Sequence, residues 1–551
     1  MKKTGAEILI NELIRQDVDT VFGYPGGYII NIYDELYKNA DKIDHILTAH
    51  EQGAAHAADA YARVSGKVGV VFATGGPGAT NLVTGIANAY LDSVPVVFIT
   101  GNVAVPMLGQ DSFQDIDIVG VTLPIVKHSY VVKDISQLQR IITEAFIIAK
   151  TDRKGPVHID IPKSVQLDTY DYDHGLTIES SETVAQIDTD AINAAVDLIN
   201  KSKRPFIYCG GGVSATNTGN EVMLLSQKID APIGMSLMGI GSVPCSYELN
   251  LGMSGMHGRY ASIAAKSEAD LIIALGVRFS DRATGKTSEY ASNTAVIHID
   301  IDAAELGKNI TPNVGLCRCL AEILPVLLSK VQEQKREQWI ARVNELINKD
   351  CAGQTEEFSP RGIIDTVSNY YGADTIVATD VGQHQMWVAQ YYKFEKPRKL
   401  ISSGGLGAMG YGLGAAIGAS IANGRKRTIL FTGDGSFGMN LTELATAVTQ
   451  KLPLTIILFN NSTLGMVRQL QTLFFDKHYS NTTLNRKTNF PALAKAFGAE
   501  GFKADSLDEL RYALEKAPDK TPCLIECKIE IDEKVLPMIP VGGTIKDIIL
   551  E

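Results

Sequence analysis

Several things are scarce in this sequence. It holds no run of about 18 uncharged apolar residues, the length a helix needs to cross a bilayer, so no membrane span is expected. The N-terminus, MKKTGAEILINELIRQD, opens on lysines as a secretory leader does. Glu7, Glu12 and Asp17 then interrupt it, and its apolar residues fall at helical spacing. Positive charge is short. Lys+Arg number 51 against 62 Asp+Glu, a net charge of −11, which argues against binding a nucleic-acid backbone. The seven cysteines are odd in number and scattered. Cys317 and Cys319 lie close in sequence, as do Cys523 and Cys527, but neither pair has a second pair or histidines at zinc spacing. Reduced thiols in a cytoplasmic protein are the expectation. Low-complexity tracts and short-period repeats are absent as well.

What is present is an α/β texture, repeated along 551 residues. At roughly 100–200 residues per domain, that length predicts about three domains. Short Val/Ile-rich runs alternate with helical patterns, the mark of parallel sheets covered by helices. The first segment has VGVVFAT (68–74), VPVVFIT (94–100) and PVHIDI (156–161). The second has RPFIYCG (204–210), DLIIALG (270–276) and AVIHIDI (295–301). The third has TIVATD (375–380), TILFTGD (428–434), LTIILFN (454–460) and CLIECKI (523–529). Between them LDTYDYDHGLTIESSETVAQ (167–186) and NKDCAGQTEEFSP (348–360) read as polar joints. The sequence therefore predicts three doubly wound parallel-sheet domains, over residues 1–165, 190–340 and 360–551.

One short stretch points to chemistry. In GDGSFGMN (433–440) a carboxylate sits between two glycines at the end of a strand pattern. Ligands of open parallel sheets bind at the carboxyl ends of strands. Glycines let backbone approach an anion closely, and the start of a helix favours phosphate. A carboxylate in such a cradle works through a hard cation, and Mg²⁺ takes one or two protein oxygens and fills its shell from phosphate. A second oxygen donor is expected at the tip of the neighbouring strand. One helix and one strand after Asp434, LTIILFNNSTLG ends in Asn460-Asn461. Asn461 offers an amide oxygen, and the carbonyl of Thr463 a third ligand. GDG alone is compatible with an ordinary turn, whereas strand, GDG, helix, strand and NN together point to a metal–phosphate site.

That arrangement resembles the cofactor motif of thiamine diphosphate (ThDP)-dependent enzymes. The resemblance implies that Asp434, Asn461 and Thr463 hold Mg²⁺ on the diphosphate, with Gly435 and Ser436 against it. Such enzymes also need a glutamate on the cofactor's pyrimidine ring, which drives proton transfer within the cofactor. TAHEQGAAHAADAYARVSGK (48–67) supplies Glu51 at the start of an Ala-rich helix. By itself Glu51 would be an acidic residue in a first helical turn. Three further stretches agree. Met409 and Gly407 in GLGAMGYGLGAAIGA (405–419) resemble the segment that bends the cofactor into a V. Gln383 and His384 in VGQHQMW (381–387) resemble diphosphate contacts, and Met466 in LGMV resembles a further contact. In this family the cofactor bridges the first domain of one subunit and the third of another, so a homodimer or tetramer is implied. The first domain is then pyrimidine-binding and the third diphosphate-binding.

Nearly the whole chain resembles the acetohydroxyacid synthases, also called acetolactate synthases. The matching stretches are YPGG (24–27), TGGPGATN (74–81), GQDSFQD (109–115), KHSY (127–130), RFSDRATGK (278–286) and LPMIPVGGT (536–544). These enzymes decarboxylate pyruvate and join the remaining hydroxyethyl unit to a second 2-ketoacid, a step of branched-chain amino acid biosynthesis. The resemblance gives Arg282 the acceptor's carboxylate, a task suited to a guanidinium fork. It puts Gly27 and Gln114 near the reacting oxygens and makes Phe113 a pocket wall. Read alone, Arg282 would be a surface partner of Asp281.

The family binds FAD in the central domain, through stretches that correspond to Gly210, Gly211, Gly212, Ser236, Leu237, Met238, Gly255, Met256, His257, Arg278, Arg282, Asp300 and Ile301. The reaction has no net redox, so this FAD would be structural. A small regulatory subunit is a further implied partner. Leu470 departs from the pattern by replacing a tryptophan, which puts a strong preference for 2-ketobutyrate in doubt. Tyr28, Ala104, Ser280 and Val541 are further departures. Another ThDP carboligase, a pyruvate oxidase or a non-catalytic relative remain the alternatives at this stage. Intact Glu51, Asp434 and Asn461 weigh against the last of these.

Overall fold

The Val/Ile-rich runs become the inner strands of three separate six-stranded sheets, each parallel throughout. Strands such as Val96–Asn102 and Leu271–Leu275 are buried along their whole length, because helices cover both faces. The computed structural model describes residues 1–178, 188–350 and 357–551.

In the first sheet the strands lie in the order Asp44–Leu47, Thr20–Tyr24, Gly69–Ala73, Val96–Asn102, Val157–Pro162, His128–Val131. In the third the order is Leu400–Ile401, Ile376–Thr379, Thr428–Gly433, Leu454–Asn460, Cys523–Lys528, Glu500–Ala504. Numbered along the chain within each unit, both read 2-1-3-4-6-5. The central sheet differs. Its order is Asn250–Met253, Ile233–Met235, Pro205–Cys209, Leu271–Leu275, Ala295–Asp300, Val314–Cys317, or 3-2-1-4-5-6, the dinucleotide-binding order.

The first joint is not wholly a linker. Thr169–Asp171 is a strand that pairs antiparallel with Lys2–Thr4, and Tyr172 beyond it is buried. The polar stretch has no apolar period because this two-stranded ribbon lies at the surface. Helix Glu337–Asp350 runs into the second joint, and helix Pro360–Tyr371 closes it. Residues 179–187 and 351–356 of the two joints lie outside the described residues. Among the described residues no helix is long and apolar enough to cross a membrane.

The first and third units are held together by two helices, Glu51–Ser65 and Tyr411–Ala422. Small residues set their distance. A Cβ built on Gly414 would lie 2.8 Å from the Gly53 carbonyl oxygen, and one on Gly418 only 1.9 Å from that of Ala57. Buried polar contacts add to the seam. Asp59 takes hydrogen bonds from Arg63 at 2.7 Å and from the Tyr411 hydroxyl at 2.7 Å, while Arg63 also donates to the Ser402 carbonyl at 3.0 Å.

Candidate active site

The carboxyl edge of the third sheet collects one cluster of polar side chains. Strand Thr428–Gly433 delivers Asp434, strand Leu454–Asn460 delivers Asn461, and strand Ile376–Thr379 leads into Gln383 and His384. GDGSFGMN is not a loop. Asp434 is the first residue of a helix running to Asn440, whose start is fixed by the Gly433 N–H on Ser436 Oγ at 3.3 Å. Two glycines in this short helix, Gly435 and Gly438, with Gly433 before it, keep the sequence from reading as one.

Asp434 is 5% exposed and Asn461 9% exposed. Burial pushes the Asp434 carboxyl up to about 6, against hydrogen bonds from the backbone of Gly435 and Ser462 and the field of Arg486. Asn461 Nδ2 donates to Gln383 Oε1 at 3.3 Å, and Asn461 Oδ1 accepts from the Thr463 N–H at 3.2 Å. The loop bearing Thr463 is pinned by its hydroxyl on the Thr482 carbonyl at 2.8 Å. His384 is buried and neutral, held down at about 3 by desolvation, and its Nε2 has no partner among the described residues. Glycine makes this crowding possible. A Cβ on Gly465 would fall 1.9 Å from Gln383 Oε1, and one on Gly433 3.2 Å from His384 Nδ1. Met409 stands nearby, its methyl 3.9 Å from where a Gly435 Cβ would be. Gly407 has φ +68°, and Met466 is half-buried against the third unit's core. One carboxylate, one amide oxygen and one backbone carbonyl make a hard-oxygen set of the kind Mg²⁺ accepts when phosphate completes its shell. A buried imidazole whose Nε2 has no partner among the described residues leaves room for a polar ligand atom beside it.

Sequence reading passed over the residue that shapes this edge. Asp380 is buried, and desolvation pushes it up to about 6. It accepts from the backbone N–H of Val381 at 2.8 Å, Gly410 at 2.8 Å and Gly412 at 3.2 Å. It thus fixes the turn that carries Met409. Its signal, an Asp closing the TIVATD run, is as common as strand ends are.

On the first sheet, Glu51 starts its helix after the His50 cap, whose Nδ1 accepts from the Gln52 N–H at 3.1 Å. Asn81 Nδ2 donates to Glu51 Oε2 at 2.9 Å. The other oxygen, Oε1, lies 3.2 Å from a Cβ built on Gly78, so a glycine there keeps that side of the carboxylate clear. Glu443 of the third unit accepts from the N–H of His50 at 2.9 Å and of Ala49 at 3.2 Å, which anchors the start of the Glu51 helix. Among the described residues no hydrogen bond within the chain joins Glu51 to the Asp434–Asn461 cluster.

The predicted substrate residues lie at open edges. Gly27 has no heavy atom within 4 Å of a Cβ position. Gln114 has φ +61° and its Cβ lies against Gly76. Phe113 is 78% exposed, and its carbonyl accepts from the Tyr28 hydroxyl at 2.6 Å. Arg282 is largely exposed, with Nε 3.7 Å from Asp281 Oδ2. An exposed pair of that kind is worth at most about 1 kcal/mol, so the guanidinium is not committed to it.

In the central unit Gly210 and Gly212 press on Gly276. A Cβ on Gly210 would be 1.9 Å from the Gly276 oxygen, and one on Gly212 2.7 Å from its Cα. A Gly211 Cβ would stand 3.3 Å from Met238 Cβ. Ser236 leads into the tight turn Leu237–Gly239, and a Gly404 Cβ would meet Met238 Sδ at 2.2 Å. Met256 takes Arg282 Nη1 on its sulfur at 3.6 Å, and Arg278 donates to the Leu91 carbonyl. Burial pushes Asp300 up to about 6, while Ile301 is exposed. Burial lowers His257 to about 4, and its carbonyl accepts from Gln390 Nε2 at 2.9 Å. Ser254 Oγ, His257 Nδ1 and Gln390 Oε1 are buried without partners among the described residues, which fits a polar ligand around Gly255–His257.

Comparison with known proteins agrees with this layout. Three family models match: thiamine pyrophosphate enzyme, N-terminal TPP binding domain, over residues 3–121; central domain, over 192–327; and C-terminal TPP binding domain, over 380–527. The acetolactate synthase large subunit of Porphyra purpurea is 43% identical over 562 aligned residues, covering 98% of this chain and 94% of that protein. Acetolactate synthase isozyme 1 large subunit of Escherichia coli is 42% identical, covering 98% of this chain and 96% of its own length. The large subunit of Lactococcus lactis is 42% identical, with 98% and 95% covered. Similarity that spans all three sheets means that the chain belongs to the thiamine pyrophosphate enzyme family, within its acetolactate synthase large-subunit branch.

Proposed function

We propose that this chain decarboxylates pyruvate and transfers the hydroxyethyl unit to a second 2-ketoacid, giving 2-acetolactate when that acceptor is pyruvate. The observation that carries the reading is the meeting of Asp434, Asn461 and Thr463 with Gln383 and His384 at one sheet edge. When bound there, thiamine diphosphate supplies a nucleophilic carbon and an electron sink for the decarboxylation. Asp434, Asn461 and the Thr463 carbonyl hold Mg²⁺, which neutralises the diphosphate. Glu51 Oε1 holds the proton shared with the cofactor's pyrimidine ring, while Asn81 orients the carboxylate through Oε2. Arg282 takes the acceptor's carboxylate. The Gly27 backbone and Gln114 donate to the oxygen on which charge builds, and Phe113 walls the pocket.

Two chains complete each site, one giving Glu51 and the other Asp434. The apolar residues left exposed, among them Phe113, Leu123, Met439 and Phe475, support a homo-oligomer, dimer or tetramer, and a small regulatory subunit fits beside it. FAD belongs in the central unit around Gly210–Gly212 and Gly255–His257 and takes no part in the electron balance. The location is cytoplasmic. The deciding experiment incubates the protein with pyruvate, thiamine diphosphate and Mg²⁺ and assays acetolactate, with Glu51→Gln alongside. No acetolactate from cofactor-loaded protein sinks the activity, and undiminished turnover by Glu51→Gln removes Glu51 from its role.

A further inference from the structure

Helix Asp434–Asn440 is overlaid by a strap, residues 482–486, tied down over its first three residues. The Leu464 N–H donates to the Thr482 carbonyl at 2.9 Å, Thr463 and Thr483 form an antiparallel bridge, and the Leu484 N–H donates to the Ser462 carbonyl at 2.8 Å. The strap therefore follows the segment that presents Asn461 and Thr463. It ends in Arg486, whose guanidinium reaches back to the helix. A Cβ built on Gly438 would lie 2.9 Å from Arg486 Nη1. Gly438 is one turn after Asp434 on the same helix face, so the missing side chain is a notch that lodges a cation beside the Asp434 carboxylate.

Arg486 is not held there by its own partners. Among the described residues it makes no hydrogen bond or ion pair. In a chain of net charge −11, an arginine set beside a buried carboxylate with all five donors free is matched to an anion that arrives from outside. The planar fork suits phosphate oxygens better than an ammonium would. Arg486 is itself exposed, as is Lys487 next in sequence, but only Arg486 has its guanidinium against the Gly438 notch, so it can turn to a ligand at that edge.

We infer that Arg486 is a cofactor-binding residue whose guanidinium, seated in the Gly438 notch, grips the diphosphate of the ligand held at Asp434 and Asn461. This rests on the function proposed above, since it needs a diphosphate ester at that edge. Strap and notch then act together, the strap delivering the charge and the glycine admitting it.

The test measures the Kd of thiamine diphosphate at saturating Mg²⁺ by calorimetry, on protein stripped of cofactor. Arg486→Gln should weaken binding about 10- to 100-fold, the range of a charge-assisted contact. Arg486→Lys should recover part of the loss. Gly438→Ala raises helix propensity, so it folds readily, yet it fills the notch and should weaken binding several-fold. The double variant should be no worse than Arg486→Gln alone. A Kd for Arg486→Gln within twofold of wild type overturns the inference, and so does an unchanged Kd with a raised KM for pyruvate. If the wild-type chain itself takes up no thiamine diphosphate, the proposed function falls with it.

Discussion

The seam between helices Glu51–Ser65 and Tyr411–Ala422 allows a substitution to be worked through. A methyl group on Gly418 would stand 1.9 Å from the Ala57 carbonyl oxygen, 2.6 Å from its carbonyl carbon and 2.8 Å from its Cα. These are backbone atoms, so no rotamer change relieves them. Restoring ordinary contact requires the helices to part by roughly 1.5 Å. Overpacking of a rigid core costs typically about 1–3 kcal/mol, and a backbone obstacle belongs at the upper end. Alanine's better helix propensity returns about 1 kcal/mol. Gly418→Ala should therefore destabilise the seam by about 1–2 kcal/mol net. Local opening would become about 5- to 30-fold more frequent. Hydrogen–deuterium exchange of the peptide spanning 51–65 reads this directly, and thiamine diphosphate affinity should fall with it, because Glu51 rides on that helix. Gly424→Asn is the control. Its φ of +69° suits asparagine, and no heavy atom stands within 4 Å of the new Cβ. Wild-type exchange in Gly418→Ala would refute the packing argument.

Asp380→Asn puts an NH₂ where Oδ2 accepts from Gly412, so the urea midpoint should fall by the equivalent of about 1–3 kcal/mol; an unchanged midpoint refutes the clamp. His56 is buried edge-on to Tyr411, and desolvation holds it down at about 3, whereas an unfolded histidine titrates near 6.5. The unfolded chain thus takes a proton below pH 6.5 that the folded chain refuses. The stability involved is whole above that pH and is lost by up to about 1.4 kcal/mol per unit on acidification. His56→Leu should make the fall of the urea midpoint between pH 6.5 and 5 shallower by one histidine's share, leaving those of His45, His158, His257 and His384, and equal slopes would contradict this. Leu470→Trp should raise the preference for 2-ketobutyrate over pyruvate, by no more than about 1–3 kcal/mol per methylene. A competition assay showing no change would clear position 470 of the role.

The strands legible in the sequence are those buried on both faces. Ile456, Ile457, Leu458 and Phe459 run without a polar residue between them, because helices lie above and below. The edge strands escaped. Leu400–Ile401 is two residues long, and Glu500–Ala504 has both Glu500 and Lys503 exposed. Asp434 and Asn461 could be linked by sequence because a single helical crossover and one strand separate adjacent strand tips. Glu51 could not be so linked, since nothing in the spacing of one chain ties the first sheet to the third, and only the family resemblance suggested it. The groups that hold the site in shape were the hardest to find. Glu443 and Asp380 act on backbone N–H groups, which no side-chain pattern records, and the partners of Glu443 lie 393 and 394 positions away.

That last separation has a consequence for synthesis. The N–H groups of Ala49 and His50 wait for a carboxylate that leaves the ribosome nearly four hundred residues later. At about 5–20 residues per second this is on the order of 20–80 s. Through that interval the helix that carries Glu51 lacks its anchor, so a nascent or truncated chain is not yet equipped for chemistry. The carboxylate of Glu443 makes competence a property of the nearly finished polypeptide.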